Sequence, residues 1–442
     1  MSGGAYADRR VRLGALGSGP LEGMSFAAKD VFEVAGRVAA AGSPAFAATR
    51  RPAVATAPAI LRLLEAGARL EGMTVTEELM FGVLGQGPGA PANPRAPGRL
   101  AGGSSTGSAV AVATGACDFA LGTDTGGSVR VPASFCGLYG LRPSQGAVPA
   151  EGVVPLAPRF DTVGWFARTP EVLEAVGRVL LPPSVGDFAA VWLPPEATAG
   201  LAPGLAAALE ARAAGIAAAL GLSLEREALG SGPGEWLAAW KVLQGLDCWL
   251  VYGGWIETAR PALGPLAARR FAAAGRLSMA EAEPAEALRA ALAEAVAPLR
   301  AARLLVMPTT PGPAPLRRAD AAGLEAARAA ILGRTALAGL LGLPELSAPW
   351  LVQEGLPVGL SLIAAPGADL RLCALAGRLA AALHIPEAAA PGPTPANPPP
   401  AELTQTDLSQ TGRARTDPPS TDPDTAATDR PRPAQTPSRS SP

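Results

Sequence analysis

Apolar positions in the first 180 residues switch between two periods. Residues 57–68 place Ile60, Leu63 and Leu64 at helical spacing with Gly67 as a stop, which predicts an amphipathic helix. Residues 25–34 alternate enough for a pair of strands ending at Ala35 and Gly36, and 70–75 reads as a further strand. Residues 108–115 are compatible with a helix, 118–121 with a short buried strand and 170–181 with a helix that closes this half, to which 154–166 also belongs. The intervening 85–103 is rich in Gly and Pro and reads as a loop. Strands alternating with helices favour an α/β fold in which helices cover a sheet.

From 182 to about 300 the chain becomes alanine-rich and helical, and it carries Trp192, Trp236, Trp240, Trp249 and Trp255. Trp236 and Trp240 lie one helical turn apart, a spacing at which core packing is the usual role and pocket lining the alternative. A strand and loop at 304–313 and a return through 343–364 complete the pattern. Residues 387–442 contain no aromatic side chain and are filled with Pro, Thr, Ser, Asp, Ala and Arg, too little apolar surface to offset the entropy of ordering, so a disordered tail is expected. The expected organisation is one domain over 1–386, with a core at about 20–181, a helical substrate-side region at about 182–300 and a closing α/β segment at 301–386, followed by the 387–442 tail.

Composition adds exclusions. With 442 residues and 48% hydrophobic content the chain can fill a large core, and a net charge of −1 gives no reason to expect nucleic acid or an anionic membrane as partner. The N-terminus lacks the apolar stretch of a signal peptide and no uninterrupted apolar run reaches about 18 residues, so neither export nor a membrane span is expected. Cys117, Cys136, Cys248 and Cys373 lack CxxC or metal-ligand spacing; reduced, buried thiols and a cytoplasmic location fit best, with no metal implied.

The chemistry concentrates in 102–141, where two serine-bearing glycine loops flank a short apolar segment. The first loop holds Gly102, Gly103, Ser104, Ser105 and Gly107; the second, GTDTGGS, ends at Ser128. Glycines there permit positive φ, so successive amides can converge on one anionic point. Neither Gly-Lys-Ser/Thr nor Gly-x-Gly-x-x-Gly is present, so no nucleotide cofactor is indicated, and packing glycines with capping serines remain the plain alternative. A serine nucleophile needs a base, yet the one histidine, His384, stands at the edge of the folded region. Of 37 Lys and Arg only Lys29 and Lys241 are lysine, the cation that can be neutral near pH 7 when buried. Lys29 sits in the apolar run MSFAAK, whereas Lys241 follows Trp240 on a helix and reads as a solvated cation; an ion pair of Lys29 with Asp30 or another carboxylate is the alternative.

The 102–143 stretch with Lys29 upstream resembles the amidase signature family. Lys29 lies 75 positions before Ser104 and Ser104 lies 24 before Ser128, spacings typical of that family. The resemblance implies a central mixed β-sheet covered by helices on both faces, and a Ser-Ser-Lys amidohydrolase acting without cofactor on a small-molecule amide. It implies Ser128 as nucleophile, Ser104 as bridging serine preceded by a cis peptide, and Lys29 as base. It also implies oxyanion donors from Thr125, Gly126, Gly127 and Ser128, with Ser105, Asp124 and Arg130 in support. Arg130 could equally be a structural ion-pair partner. FDTVGWFAR at 160–168 and the stretch at 240–271 are similar to plant-type indole-3-acetamide amidohydrolases. The ammonia-releasing component of a tRNA-dependent amidotransferase, acting on glutamine, and a non-catalytic scaffold on the same fold are the alternatives; a homodimer is left open.

Truncation after Glu387 is expected to leave the melting temperature and turnover nearly unchanged, because the removed segment has little to pack; a truncated protein that precipitates would show otherwise.

Overall fold

The computed structural model describes residues 4–385 except 88 and 185. Among these residues, eleven strands join one mixed sheet: Tyr6–Asp8 (β1), Ser25–Lys29 (β2), Arg69–Thr74 (β3), Phe119–Thr123 (β4), Tyr139–Arg142 (β5), Val163–Ala167 (β6), Ala190–Trp192 (β7), Ser223–Glu225 (β8), Arg303–Pro308 (β9), Glu345–Gln353 (β10) and Leu356–Ile363 (β11). Their order is β1-β3-β2-β4-β6-β5-β10-β11-β9-β7-β8. β2 runs parallel to both β3 and β4, while β4, β6, β5, β10, β11 and β9 are successively antiparallel. Every residue of β2, β4, β5 and β6 is buried. Side chains alternate between the faces of a strand, so complete burial means that both faces of the central sheet are covered.

Local chemistry explains the elements that frame the site. The helix Pro58–Glu65 buries Ile60, Leu63 and Leu64, starts with proline and stops before Gly67 at φ +98°. In the helix Pro170–Leu180, Thr169 caps the first turn by accepting the Val172 amide, and Trp165 Nε1 donates to the Leu173 carbonyl, tying that helix to β6. The helix Thr106–Ala113 is buried at every position. Phe26 on β2 stacks on Phe119 of β4 with ring centroids 5.3 Å apart, at the point where the two residues are in register.

Two expectations need correction. The 25–34 strand pair is a single strand, because the Val31 and Phe32 amides both donate to the Lys29 carbonyl and turn the chain. The 182–300 region is not purely helical: β7 and β8 extend the sheet, and three-residue strands are too short for a period to register. The helix Pro203–Leu220 is long and apolar enough to cross a membrane by length and composition; here it packs against the sheet, burying Leu205, Leu209 and Ile216. The 387–442 tail lies outside the described residues.

Tight strand packing supplies a test. A Cβ on Gly164 of β6 would meet the Leu141 carbonyl oxygen at 2.2 Å, so Gly164→Ala must displace backbone and is expected to destabilise by about 1–3 kcal/mol in urea unfolding. Gly204→Ala, on an exposed helical turn with open space around it, is expected to stabilise by about 0.5–1 kcal/mol.

Candidate active site

Parallel pairing of β2 with β4 brings their carboxyl ends together. Lys29 closes β2 and Thr123 closes β4. Lys29 is fully buried, and its Nζ is hydrogen-bonded to Ser104 Oγ at 2.8 Å and Thr123 Oγ1 at 2.7 Å. Asp30 pairs with Arg37 at 2.8 Å, so the adjacent carboxylate is engaged elsewhere. Burial pulls the Lys29 pKa down to about 7, against the more distant charges of Asp161, Asp124 and Glu77.

Ser104 arrives on the first glycine loop. The Gly103–Ser104 peptide is cis, and the Ser104 carbonyl accepts the Glu77 amide at 3.2 Å. Ser105 ties the two loops together: its amide donates to the Ser128 carbonyl, and its hydroxyl donates to the Thr123 carbonyl while accepting the Thr123 amide. Glu77, which no sequence pattern singled out, is wedged under this loop. A Cβ on Gly82 or Gly103 would meet Glu77 Oε2 at 2.4 or 2.2 Å, and on Gly103 also the Gly85 backbone nitrogen at 2.7 Å, so a larger residue would have to displace the Glu77 carboxyl at either place and backbone at Gly103. Glu77 Oε1 accepts the Gln86 amide, and burial raises its pKa while Arg270 opposes the shift.

The second loop wraps a carboxylate. Asp124 accepts the amides of Gly127, Val129 and Arg130 and is gripped by Arg130 through Nε at 3.0 Å and Nη2 at 2.8 Å. Arg130 Nη1 also reaches Glu345 Oε2 at 2.5 Å, and Arg142 Nη1 donates to the Asp124 and Phe160 carbonyls. All four side chains are buried, and together they carry two positive and two negative charges. Burial alone would raise the Asp124 pKa, but Arg130 and Arg142 hold it well below the usual carboxylate range. Asp124 and Arg130 were anticipated; Arg142 and Glu345 were not, and Glu345 lies 215 positions from the arginine it balances.

This geometry changes the expected donor set. Gly127, at φ +118°, spends its amide on Asp124, so it is not a free oxyanion donor. Among the described residues the amides of Thr125, Gly126 and Ser128 make no such bond. Ser128 Oγ donates to the Gly82 carbonyl at 3.5 Å, and among the described residues no hydrogen bond joins it to Ser104 Oγ. The structure therefore joins Lys29 to Ser104 directly and places Ser128 beside them through Ser105. Thr125 Oγ1 donates to Asp161 Oδ1 at 2.6 Å.

A cavity of about 20 Å³ lies against Ser128, Thr125 and Gly126. Trp240 lines it, packing edge-on against Phe160 with centroids 4.8 Å apart, and a Cβ on Gly126 would meet the Trp240 ring at 2.7 Å. Trp240 thus fills both roles considered for it, core and lining, whereas Trp236 is buried with its Nε1 on Ser231 Oγ. His384 and Lys241 are exposed. Among the described residues no cluster of three or more His, Cys, Asp or Glu side chains could hold a metal ion.

Comparison with known proteins bears on the family of the chain. A family model described as Amidase matches residues 4–207. Amidase 1 of Oryza sativa subsp. japonica is 39% identical over 383 residues, covering 79% of this chain and 88% of that one. Amidase 1 of Arabidopsis thaliana is 36% identical over 408 residues, covering 82% of this chain and 93% of that one. In Thermus thermophilus, a chain of the glutamyl-tRNA(Gln) amidotransferase is 36% identical over 416 residues, covering 84% of this chain and 86% of that one. A crystal structure of an amidase superposes with a TM-score of 0.72 at 32% identity, covering 82% of this chain and 85% of that one.

Removing one member of the buried quartet leaves an uncompensated charge. Glu345→Ala is expected to cost about 3–5 kcal/mol in denaturant unfolding, against less than about 1 kcal/mol for Glu174→Ala, whose pair with Arg178 is on the surface.

Proposed function

The chain belongs to the amidase signature family and is an amide hydrolase, and from that premise we propose that it works through a Ser128 acyl-enzyme with Ser104 and Lys29 as the proton relay. The observation that carries this reading is the 2.8 Å contact between Ser104 and a fully buried lysine whose pKa lies at about 7. A lysine kept neutral by desolvation can accept a proton; an arginine in its place could not.

Ser128 reaches the relay by turning its one side-chain torsion away from the Gly82 carbonyl, a tightening of the kind that substrate binding commonly brings to resting active sites. Its Oγ then attacks the amide carbonyl carbon. As the new C–O bond forms, the Ser128 proton passes to Ser104 Oγ and the Ser104 proton passes to Lys29 Nζ. The carbonyl π electrons move onto oxygen, and the amides of Thr125, Gly126 and Ser128 are the donors assigned to that oxyanion, each worth about 3 kcal/mol of barrier. Collapse breaks the C–N bond as the relay returns a proton to the departing nitrogen. Water, deprotonated through the same relay, attacks the ester carbonyl, and Ser128 regains its proton as the acid leaves.

Arylacetamides such as indole-3-acetamide are the proposed substrates, on the likeness of 160–168 and 240–271 to enzymes of that kind. The likeness to the amidotransferase chain favours a second reading, ammonia release from glutamine for a partner enzyme. Turnover of arylacetamides by the purified protein alone favours the first.

Lys29→Arg keeps the charge and is expected to lower kcat/KM by about 10³-fold or more with the fold intact by circular dichroism, while Lys241→Arg stays within about twofold of wild type. Since Lys29 must be neutral, wild-type activity should rise with pH through about 7 and level off above it. Fluorophosphonate labelling should map to Ser128, and Ser128→Ala should be folded and inactive. Lys29→Arg activity within about tenfold of wild type would sink the relay.

A further inference from the structure

The cavity against Ser128, about 20 Å³, has room for one water and none for a sizeable acyl group. A second cavity of about 340 Å³ shares one lining residue with it, Met80. Two residues on its wall belong to the site already described: Thr123, whose hydroxyl holds Lys29, and Asp161, which accepts from Thr125. The rest is largely apolar, with Val148, Val154 and Val163 among its walls. Among the described residues its charged lining consists of Asp161 and Glu151, with no lysine or arginine facing it. Arg328, a cation lining the smaller cavity, is held by Glu325 at 3.2 Å.

Met80, the residue common to both linings, has a fixed backbone. Leu79 and Met80 lie in the left-handed region at φ 48° and 58°, a costly conformation for side-chain-bearing residues that persists only where neighbours fix it. Here the Leu79 amide donates to Ala41, the Met80 amide to Glu77, and the Gly82 amide to the Met80 carbonyl. The backbone is pinned, while the buried, unbranched methionine side chain keeps torsions about which it can swing.

We propose that the cavity beyond Met80 binds a neutral, apolar acyl group of the substrate amide, and that Met80 is the specificity-determining wall between this pocket and the reacting carbonyl. The proposal rests on the Ser128 and Lys29 reading above. A carboxylate-bearing acyl group would meet two acids and no cation there, which disfavours it.

The test is steady-state kcat/KM of the full chain on acetamide, hexanamide, phenylacetamide and glutaramate, the last replacing the apolar end of hexanamide with a carboxylate. Wild type is expected to prefer phenylacetamide over acetamide by at least 100-fold and hexanamide over glutaramate by at least tenfold. Met80→Ala should raise the phenylacetamide-to-acetamide ratio at least fivefold. Ala150→Trp, at an exposed position on the pocket lining, should lower phenylacetamide turnover at least tenfold while moving acetamide less than threefold. A preference for glutaramate, or variants that shift every amide by one common factor, would overturn the proposal. If Ser128→Ala is inactive and the pH rise near 7 holds while these ratios stay fixed, only the pocket assignment fails. If Ser128→Ala turns over substrate like wild type, the relay reading fails and this proposal with it.

Discussion

The site depends on burying a primary amine where hydroxyls, and no carboxylate, touch it. In water an ammonium keeps its proton far above neutrality; inside the protein the hydrogen bonds that repay the loss of hydration, among the described residues, are those to Ser104 and Thr123, two neutral partners. A carboxylate at hydrogen-bond distance would favour the protonated form of Lys29. The arrangement around it keeps negative charge close but never in contact: Asp30 is claimed by Arg37, Asp124 by two arginines, and Asp161 by Thr125 and two backbone amides.

The second constraint is that a loop of outward-facing amides needs something to hold it from behind. Asp124 does so by accepting three amides, and such a carboxylate cannot stay ionised in the interior unless cations face it. Arg130 and Arg142 supply them, and Glu345 restores neutrality. Its role is to fix which amides remain free, and its use of Gly127 shows that adjacency in the loop does not make every amide available.

Much of this was legible in the chain. The strands read at 70–75 and 118–121 and the helices read at 57–68 and 170–181 fall on β3, β4, Pro58–Glu65 and Pro170–Leu180, the 25–34 reading overran β2, and the scarcity of lysine drew attention to Lys29. The contact of Lys29 with Thr123 could have been suspected, since Thr123 stands inside the same glycine-rich motif. Glu345, Arg142 and Glu77 could not, because their roles arise from strand neighbours and loop crossings that leave no local period. Short strands such as β7 and β8 were missed because their few residues are ordered by pairing, β7 with β9 and β8 with β7, not by local propensity.

The pairing of Arg130 with Glu345 also bears on synthesis. Lys29, Ser104 and Ser128 all leave the ribosome more than 200 residues before β10, the strand that carries Glu345 and lies against β5. Until that strand docks, the nest has an excess buried cation and the central sheet has an open edge. The two glycine loops and Lys29 are thus made early and framed late, when the strand that carries Glu345 takes its place against β5.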